Sequence, residues 1–556
     1  MIGVFPPPLD RSKQSSSQFL VGSQIAGREC VRAMLTYLPQ QSVVLLASRL
    51  NVLSVTRDLA QMEAIGTAEP SLAQVWPIET LDGSSHHQPL SVIHDIHNGC
   101  LHHATYARSL VSSRPFPVTS LVHGFSYSQA RWNDFSHLLH TPMLACDSII
   151  CTSTAAHDAF DNILTRVQES IECMGGQVIN QSPRTDIIPL GVDTEMFQPR
   201  DKNQARELLN LPKGKIILLY FGRIDHVSKG DLGPLLSAFR DLMDQHGNKI
   251  ALVLAGNAGS DQAVDYLETL IAQHNCVNQV FLRLRPSVAE GPLYYSAADI
   301  FVSPVETLQE SFGLSPLEAM ASGLPVVVAD WSGYRDTVVH EETGFKVATY
   351  WMECDSDISQ WSPLRAWEED HIQLAQSVAV DMDELKHWLN LLIANPERRK
   401  AMGLAARARM IEKYDWKHII ASLQDLWQEL AEIAQSLPPI KPACQAIEQA
   451  GYFRDFGHFA SHHFTGQERI ELTQRGQQVC RKPELLVIPP LMENWLDTNG
   501  LLFTFNLIKT SSLLRSKPIL LEVCEKLSKA QHLTVPVAQR SVMWLIKYGY
   551  LRVLTR

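Results

Sequence analysis

Two acidic and two basic side chains stand at spacings that could do chemistry. Glu310 and Glu318 bracket the stretch SFGLSPL, with seven residues between them. Ser315-Pro316-Leu317-Glu318 has the form of a capping box, with Ser315 at the N-cap, Pro316 at N1 and Glu318 at N3. The pattern predicts a helix from there to near Gly323. The loop Glu310-Ser311-Phe312-Gly313-Leu314 would then bring free backbone N–H groups to a helix N-terminus, which suits a phosphate. Upstream, Gly222-Arg223 ends an apolar run, and Lys229-Gly230 follows just before a helical pattern. Arginine forks two oxygens and lysine acts as a point charge, so the pair suits a diphosphate. Each feature alone has a plainer reading: Glu318 only caps, Glu310 is solvated, and Arg223 and Lys229 are a surface pair. Their joint occurrence at predicted strand ends favours a ligand site.

Those side chains need a scaffold. Runs at 42–48, 89–96, 117–125 and 147–153 are short and rich in Val, Ile and Leu, as buried strands are. Stretches long enough for helices separate them, and another helix is expected around 28–38. Residues 185–199 hold two prolines, a glycine and no helical period, and read as a crossing segment. A second alternating series then begins, with strands at 215–223, 250–258, 279–284, 299–304 and 324–330 and an amphipathic helix at 231–245. The class is α/β: two doubly wound, Rossmann-like halves in tandem, with the cleft as default ligand site. Residues 346–380 read as irregular, and 383–434 as helical.

Composition bounds the rest. A chain of 556 residues is too long for one core, and 45% hydrophobic with 19% charged residues is globular. No apolar run reaches the ~18 residues of a membrane span. The start, MIGVFPPPLD, lacks a basic n-region and is not expected to be a signal peptide. Ten scattered cysteines without a CxxC pair fit free thiols in a reducing cytoplasm. The net charge of −11 hides an asymmetry: residues 441–556 carry 15 Lys/Arg against 9 Asp/Glu, so the remainder is strongly acidic. The body therefore repels nucleic acid on average.

A set of strings resembles one family, the retaining GT-B glycosyltransferases of family 4. They are PLGVD (189–193), FGRIDHVSKG (221–230), LAGN (254–257), AADIFVSP (297–304), ESFGLSPLEAMASGLPVVVAD (310–330), TGFKV (343–347) and the closing pattern at 394–416. The likeness covers about residues 1–435, most strongly from 185. It implies transfer of a sugar from a nucleotide sugar, UDP- or GDP-linked, with retention at the anomeric carbon and without a metal or other cofactor. Arg223 and Lys229 would hold the diphosphate beside Gly222, Glu318 the ribose hydroxyls, and Glu310 the transferred sugar. The N–H groups of Gly313, Leu314 and Ser315, next to Phe312, would touch sugar or phosphate. His123 in LVHGF matches the family histidine near the donor sugar, and Gly22 the first glycine-rich loop. Two departures leave donor identity open: Gly22 is followed by Ser23, and SGYRD (332–336) replaces a Gly-Gly pair and puts Asp336 where Glu is common.

The expected domains are an acceptor-side lobe at 1–190, onto which helices at 417–435 pack back, and a donor-binding lobe at 191–416. A linker at 436–460 and a winged-helix-like module at 461–556 follow. In the module, helices at 518–531 and 535–549 lead into a strand. Residues 498–556 hold nine basic and two acidic residues. Peptide or protein recognition, or dimerisation, is favoured there over DNA, because Arg540 and Lys547 are the only charges on the second helix. A sugar-nucleotide-binding regulator whose tail binds DNA or a partner protein is the alternative. A phosphorylase would need a pyridoxal-phosphate lysine signature, which is not seen. Asp355-Ser356-Asp357 and Asp381-Met382-Asp383 match D-x-D but follow no predicted strand, and the second opens a helix. His86-His87, His94, His97, His102-His103 and His462-His463 lack paired Cys or carboxylate at ligand spacing. Trp351, Trp361 and Trp367 are expected to pack on the body. A cytoplasmic protein is expected, with peripheral membrane association left open. Acceptor identity is not legible.

Overall fold

The structure is a computed structural model. It describes residues 1–5, 22–39, 43–49, 51–57, 74–81, 89–96, 101–122, 124–126, 135–141, 143–178, 183–227, 229–440, 451–489, 492–514 and 516–554. The chain forms two units, Met1–Ala443 and Cys444–Arg556.

The first unit holds two sheets. One is built from β1 (Ile2–Phe5), β2 (Val43–Ala47), β3 (Gln74–Pro77), β4 (Val92–Asp95), β5 (Val118–Val122), β6 (Ser148–Cys151) and β7 (Thr185–Ile187). Their order is β3-β2-β1-β4-β5-β6-β7. The other comprises β8 (Ile216–Phe221), β9 (Ile250–Gly256), β10 (Val280–Leu284), β11 (Ile300–Ser303), β12 (Val326–Ala329) and β13 (Gly344–Val347), ordered β10-β9-β8-β11-β12-β13. Every neighbouring pair in both sheets is parallel. Parallel strands need crossovers that cover both faces, so β9 reads IALVLAG and is buried at every residue. In the second sheet the strand order reverses between β8 and β11. Ligands bind outside the carboxyl ends of strands at such a reversal.

The structure adds to and corrects the sequence reading. Ile2–Phe5 lies at the centre of the first sheet, between β2 and β4. Four residues followed by prolines give too short a pattern to read as a strand. The crossing segment contains the edge strand β7. The 346–380 stretch is not irregular. It holds the end of β13, an antiparallel pair of β14 (Thr349–Trp351) with β15 (Val378–Val380), and helices Ser356–Trp361 and Trp367–Ala375. These elements are brief and mix Trp with acids, which hides any period.

Helix Trp416–Gln435 carries a continuous apolar stripe and lies against the first lobe. Its Trp427 Nε1 donates to Thr119 Oγ1 at 3.0 Å, and Arg184 Nη1 meets Glu429 Oε1 at 2.7 Å. Asp415 caps its N-terminus through the Lys417 N–H at 3.0 Å.

The second unit has its own core, including Leu501, Phe505, Leu527, Val542, Leu545 and Tyr550. Helices Thr498–Leu513, Leu520–Ala530 and Val535–Lys547 pack beside the antiparallel strands β16 (Arg469–Leu472) and β17 (Leu551–Leu554). The expected linker contains a short helix, Tyr452–Phe456.

Candidate active site

Arg223, Lys229 and Glu310 lie on the two loops that flank the strand reversal, and Glu318 on the helix behind the second loop. Arg223 follows β8, and Glu310 lies in the loop after β11. Gly256 ends β9 beside Gly222. A Cβ on Gly256 would sit 1.6 Å from Gly222 O, so only glycine allows this approach. The Gly222 N–H donates to Ala255 O at 3.0 Å, and the Tyr220 hydroxyl to Arg223 O at 3.0 Å. The turn carrying Lys229 is closed by Asp225 O, which accepts from the N–H groups of Lys229 at 3.0 Å and Gly230 at 3.1 Å.

Lys229 reaches across to Glu310 and pairs with it, Nζ to Oε2. The Glu310 carboxylate is buried, and Tyr334 Oη donates to it at 3.4 Å. A lysine and a carboxylate from different loops, 81 residues apart in sequence, thus share one point at the switch. An anionic ligand there would compete for the ammonium group.

The helix behind the loop spans Leu314–Ala321, and its N-cap is Gly313, not Ser315. Gly313 has φ 97°, and a Cβ on it would lie 2.0 Å from Tyr334 Cε1. The left-handed turn and the ring contact together take the place that the capping box was expected to fill. Glu318 therefore does not cap. Tyr295 Oη donates to its Oε2 at 2.5 Å. Burial pushes the Glu318 carboxyl up to about 7; the Tyr295 hydrogen bond and Lys229 oppose this, and Glu29 adds to it. Phe312 is buried, and Leu314 and Ser315 form the first helical turn. Gly22 opens the helix Gly22–Tyr37, which also carries Glu29. His123 lies outside the described residues, as do His86, His87 and His97.

Several polar groups at the site gave no signal in the sequence. Glu306 is buried, and its Oε1 accepts from the Asp231 N–H at 2.8 Å. Burial pushes its carboxyl up to about 8, more than that hydrogen bond lowers it. The first lobe also touches the Glu310 loop. Ser153 caps the helix Thr154–Cys173 by accepting from the Ala156 N–H at 3.0 Å, and its hydroxyl donates to Ser311 O at 2.7 Å. The Thr154 N–H donates to Asp336 Oδ2 at 2.6 Å, which gives the SGYRD departure a structural role. A residue type in a loop does not reveal which lobe it will meet, so these pairings needed coordinates.

Most of the other candidates have structural partners of their own. Asp381 caps its helix through the N–H groups of Asp383 at 3.1 Å and Glu384 at 2.9 Å. His94 is buried on β4, with Nδ1 2.8 Å from Thr119 Oγ1. His463 Nε2 is 2.7 Å from Gly457 O. Trp351 sits edge-on to Trp331 with ring centres 6.0 Å apart, while Trp361 is largely exposed. Among the described residues, no group of three His, Cys, Asp or Glu side chains could hold a metal ion. No helix among them is long and apolar enough to cross a membrane. In the second unit, Lys517 and Arg552 both pair with Glu471.

Comparison with known proteins bears on the same region. The family model described as glycosyl transferases group 1 matches residues 201–365. A D-inositol 3-phosphate glycosyltransferase of Segniliparus rotundus is 28% identical over 234 residues, covering 42% of this chain and 44% of the relative. The lipopolysaccharide core biosynthesis mannosyltransferase LpsB of Rhizobium meliloti is 31% identical over 209 residues, covering 36% of this chain and 57% of the relative. The chain thus spans about half the length of these curated relatives. The crystal structure of Anabaena HepE in complex with UDP-glucose superimposes with a TM-score of 0.50 at 17% identity, covering 79% of this chain and all of that one. The chain resembles the group 1 glycosyltransferases, and its two parallel sheets have the GT-B architecture of two Rossmann-like domains.

Proposed function

We propose that this chain is a glycosyltransferase that moves a sugar from a nucleotide sugar, UDP- or GDP-linked, to an acceptor with retention of anomeric configuration. The observation that carries the proposal is the pairing of Lys229 with Glu310, from the loops that follow β8 and β11 at the strand reversal, with Arg223 in the first of those loops. Breaking the bond from C1 of the sugar to the phosphate oxygen leaves negative charge on the diphosphate, and two fixed cations stabilise that charge. In this reading the donor diphosphate takes Lys229 from Glu310, and Arg223 forks its oxygens. The freed Glu310 carboxylate then faces the sugar hydroxyls. Glu318, ionised, accepts from the ribose hydroxyls. The first turn of helix Leu314–Ala321 presents N–H groups to sugar or phosphate. The new bond from C1 to the acceptor oxygen forms on the face the phosphate leaves. The acceptor proton passes to the departing phosphate oxygen, so no protein base is required. Two cations already neutralise the diphosphate, so the reading calls for no metal ion.

The test needs no acceptor. Thermal-shift screening against UDP, GDP, ADP and their common sugars, with and without EDTA, should reveal one stabilising nucleotide whose effect survives EDTA. Proton NMR of the first sugar released by slow donor hydrolysis should then show the donor's own anomer. Release of the opposite anomer would refute retention. No response to any nucleotide would refute the donor site.

A further inference from the structure

The segment 348–381, between β13 and the helix Met382–Ala394, touches three separate pieces of the candidate site. Helix Trp367–Ala375 contributes His371, which is buried. His371 Nε2 lies 2.7 Å from Ser126 O, on the loop after β5 in the first lobe. Its Nδ1 lies 3.0 Å from Gln309 Nε2, and Gln309 immediately precedes Glu310. A carbonyl can only accept, so Nε2 carries the proton and Nδ1 accepts from the Gln309 amide. Burial holds the imidazole below its ordinary pKa, which favours this neutral form over imidazolium. The Trp367 ring packs edge-on against His371 at 4.9 Å, and Arg365 holds the neighbouring Asp370 at 2.8 Å. Just past the same helix, Gln376 Nε2 donates to Asp231 Oδ2 at 3.1 Å, two residues beyond Lys229. Trp331 Nε1, under the edge of Trp351, donates to Thr307 O at 2.9 Å in the Glu310 loop.

We propose that His371 is a positioning residue, which ties the Ser126 loop of one lobe to the Gln309–Glu310 loop of the other, and that this segment braces both lobes around the transferred sugar. The proposal rests on the glycosyltransferase reading for its kinetic consequence, not for its structural one. A two-nitrogen ring is suited to the task because it accepts from one loop while donating to the other. Asparagine reaches only as far as Nδ1 and keeps at most the Gln309 side. Glutamine reaches about as far as Nε2 and keeps the Ser126 side.

The experiment is hydrogen exchange on the full chain, comparing wild type with His371→Asn, His371→Gln and Gln309→Ala. His371→Asn should raise exchange about tenfold at amides in 118–126, beyond the 348–381 segment itself, which is the scale of one lost hydrogen bond. His371→Gln should restore protection in 118–126. Gln309→Ala should loosen 307–314 and serves if His371→Asn does not fold. In turnover assays His371→Asn should lower kcat by about tenfold with donor KM within about threefold, because the loops would be misplaced while the diphosphate site stays intact. Exchange changes confined to 349–380, or protection in 118–126 that stays lost in His371→Gln, would overturn the brace. If wild type transfers no sugar from any donor, the functional reading fails, and the exchange data still decide the brace.

Discussion

In the lobe of β1–β7, polar groups just past the strand ends join one part of the chain to another. Ser153 and Thr154, after β6, bond to Ser311 O and Asp336 of the other lobe. In the lobe of β8–β13, the corresponding groups pair with one another: Lys229, from the loop after β8 that also carries Arg223, meets Glu310, from the loop after β11. Both sheets are parallel and built the same way. The difference lies in the loops, where one lobe supplies contacts that set position and the other supplies charge that a ligand can displace.

Removing that charge should have the largest effect. Lys229→Ala or Glu310→Ala should reduce transfer by about 100-fold or more, while the thermal midpoint shifts by only a few degrees. Near-full turnover in either variant, with a verified donor, would remove the contrast between the lobes.

The second break belongs to the first lobe and should leave chemistry alone. Arg108 and Asp147 form a buried pair there, with Nη2 to Oδ2 at 2.9 Å. Arg108→Leu leaves a buried carboxylate without its cation, and should cost about 3–5 kcal/mol in denaturant unfolding. Turnover per folded molecule should stay within about twofold, since the pair is remote from the donor groups. A selective loss of turnover with unchanged stability would contradict the division of labour.

Loosening the joint should give a smaller effect. Ser153→Ala removes both the helix cap and the hydroxyl donated to Ser311 O. A stability loss of about 1 kcal/mol is expected, with a several-fold drop in turnover as the Glu310 loop loses its support. Asp336→Asn should lower turnover in the same direction.

The smallest signal is a pH slope. The Glu318 carboxyl sits at about 7 in the folded chain against 4.5 when unfolded. The folded state therefore holds the extra proton between those values, and ligand-free stability should fall as pH rises across that window. Donor affinity should move the opposite way, because the proposed ribose acceptor is the ionised form. Glu318→Gln should flatten its contribution to both profiles. Unchanged slopes in that variant would remove Glu318 from the account.

How much of this was legible depended on whether the signal was local. The strands of the second sheet are continuous apolar runs, and Gly222-Arg223, Lys229 and Glu310 stand at their ends, so sequence alone placed them together. The Ser-Pro-x-Glu spacing fits a capping box, but the ring of Tyr334 against Gly313 starts the helix two residues earlier. What stayed hidden was non-local. Nothing near Tyr295 or Glu306 in the sequence says that each is buried against a partner from another element. His371 sits in a stretch whose helices are too short to show a period. The central strand Ile2–Phe5 escaped for the same reason.

The most direct test of the central claim is calorimetric titration of the best-stabilising nucleoside diphosphate into wild type, Lys229→Ala and Glu310→Ala. Lys229→Ala should weaken binding by about tenfold or more, through loss of a charge-assisted contact. Glu310→Ala should bind at least as tightly as wild type, since the ligand no longer competes with that carboxylate for the ammonium group. Equal affinities in all three proteins would contradict the account, because the Lys229–Glu310 pair would then not be where the diphosphate binds.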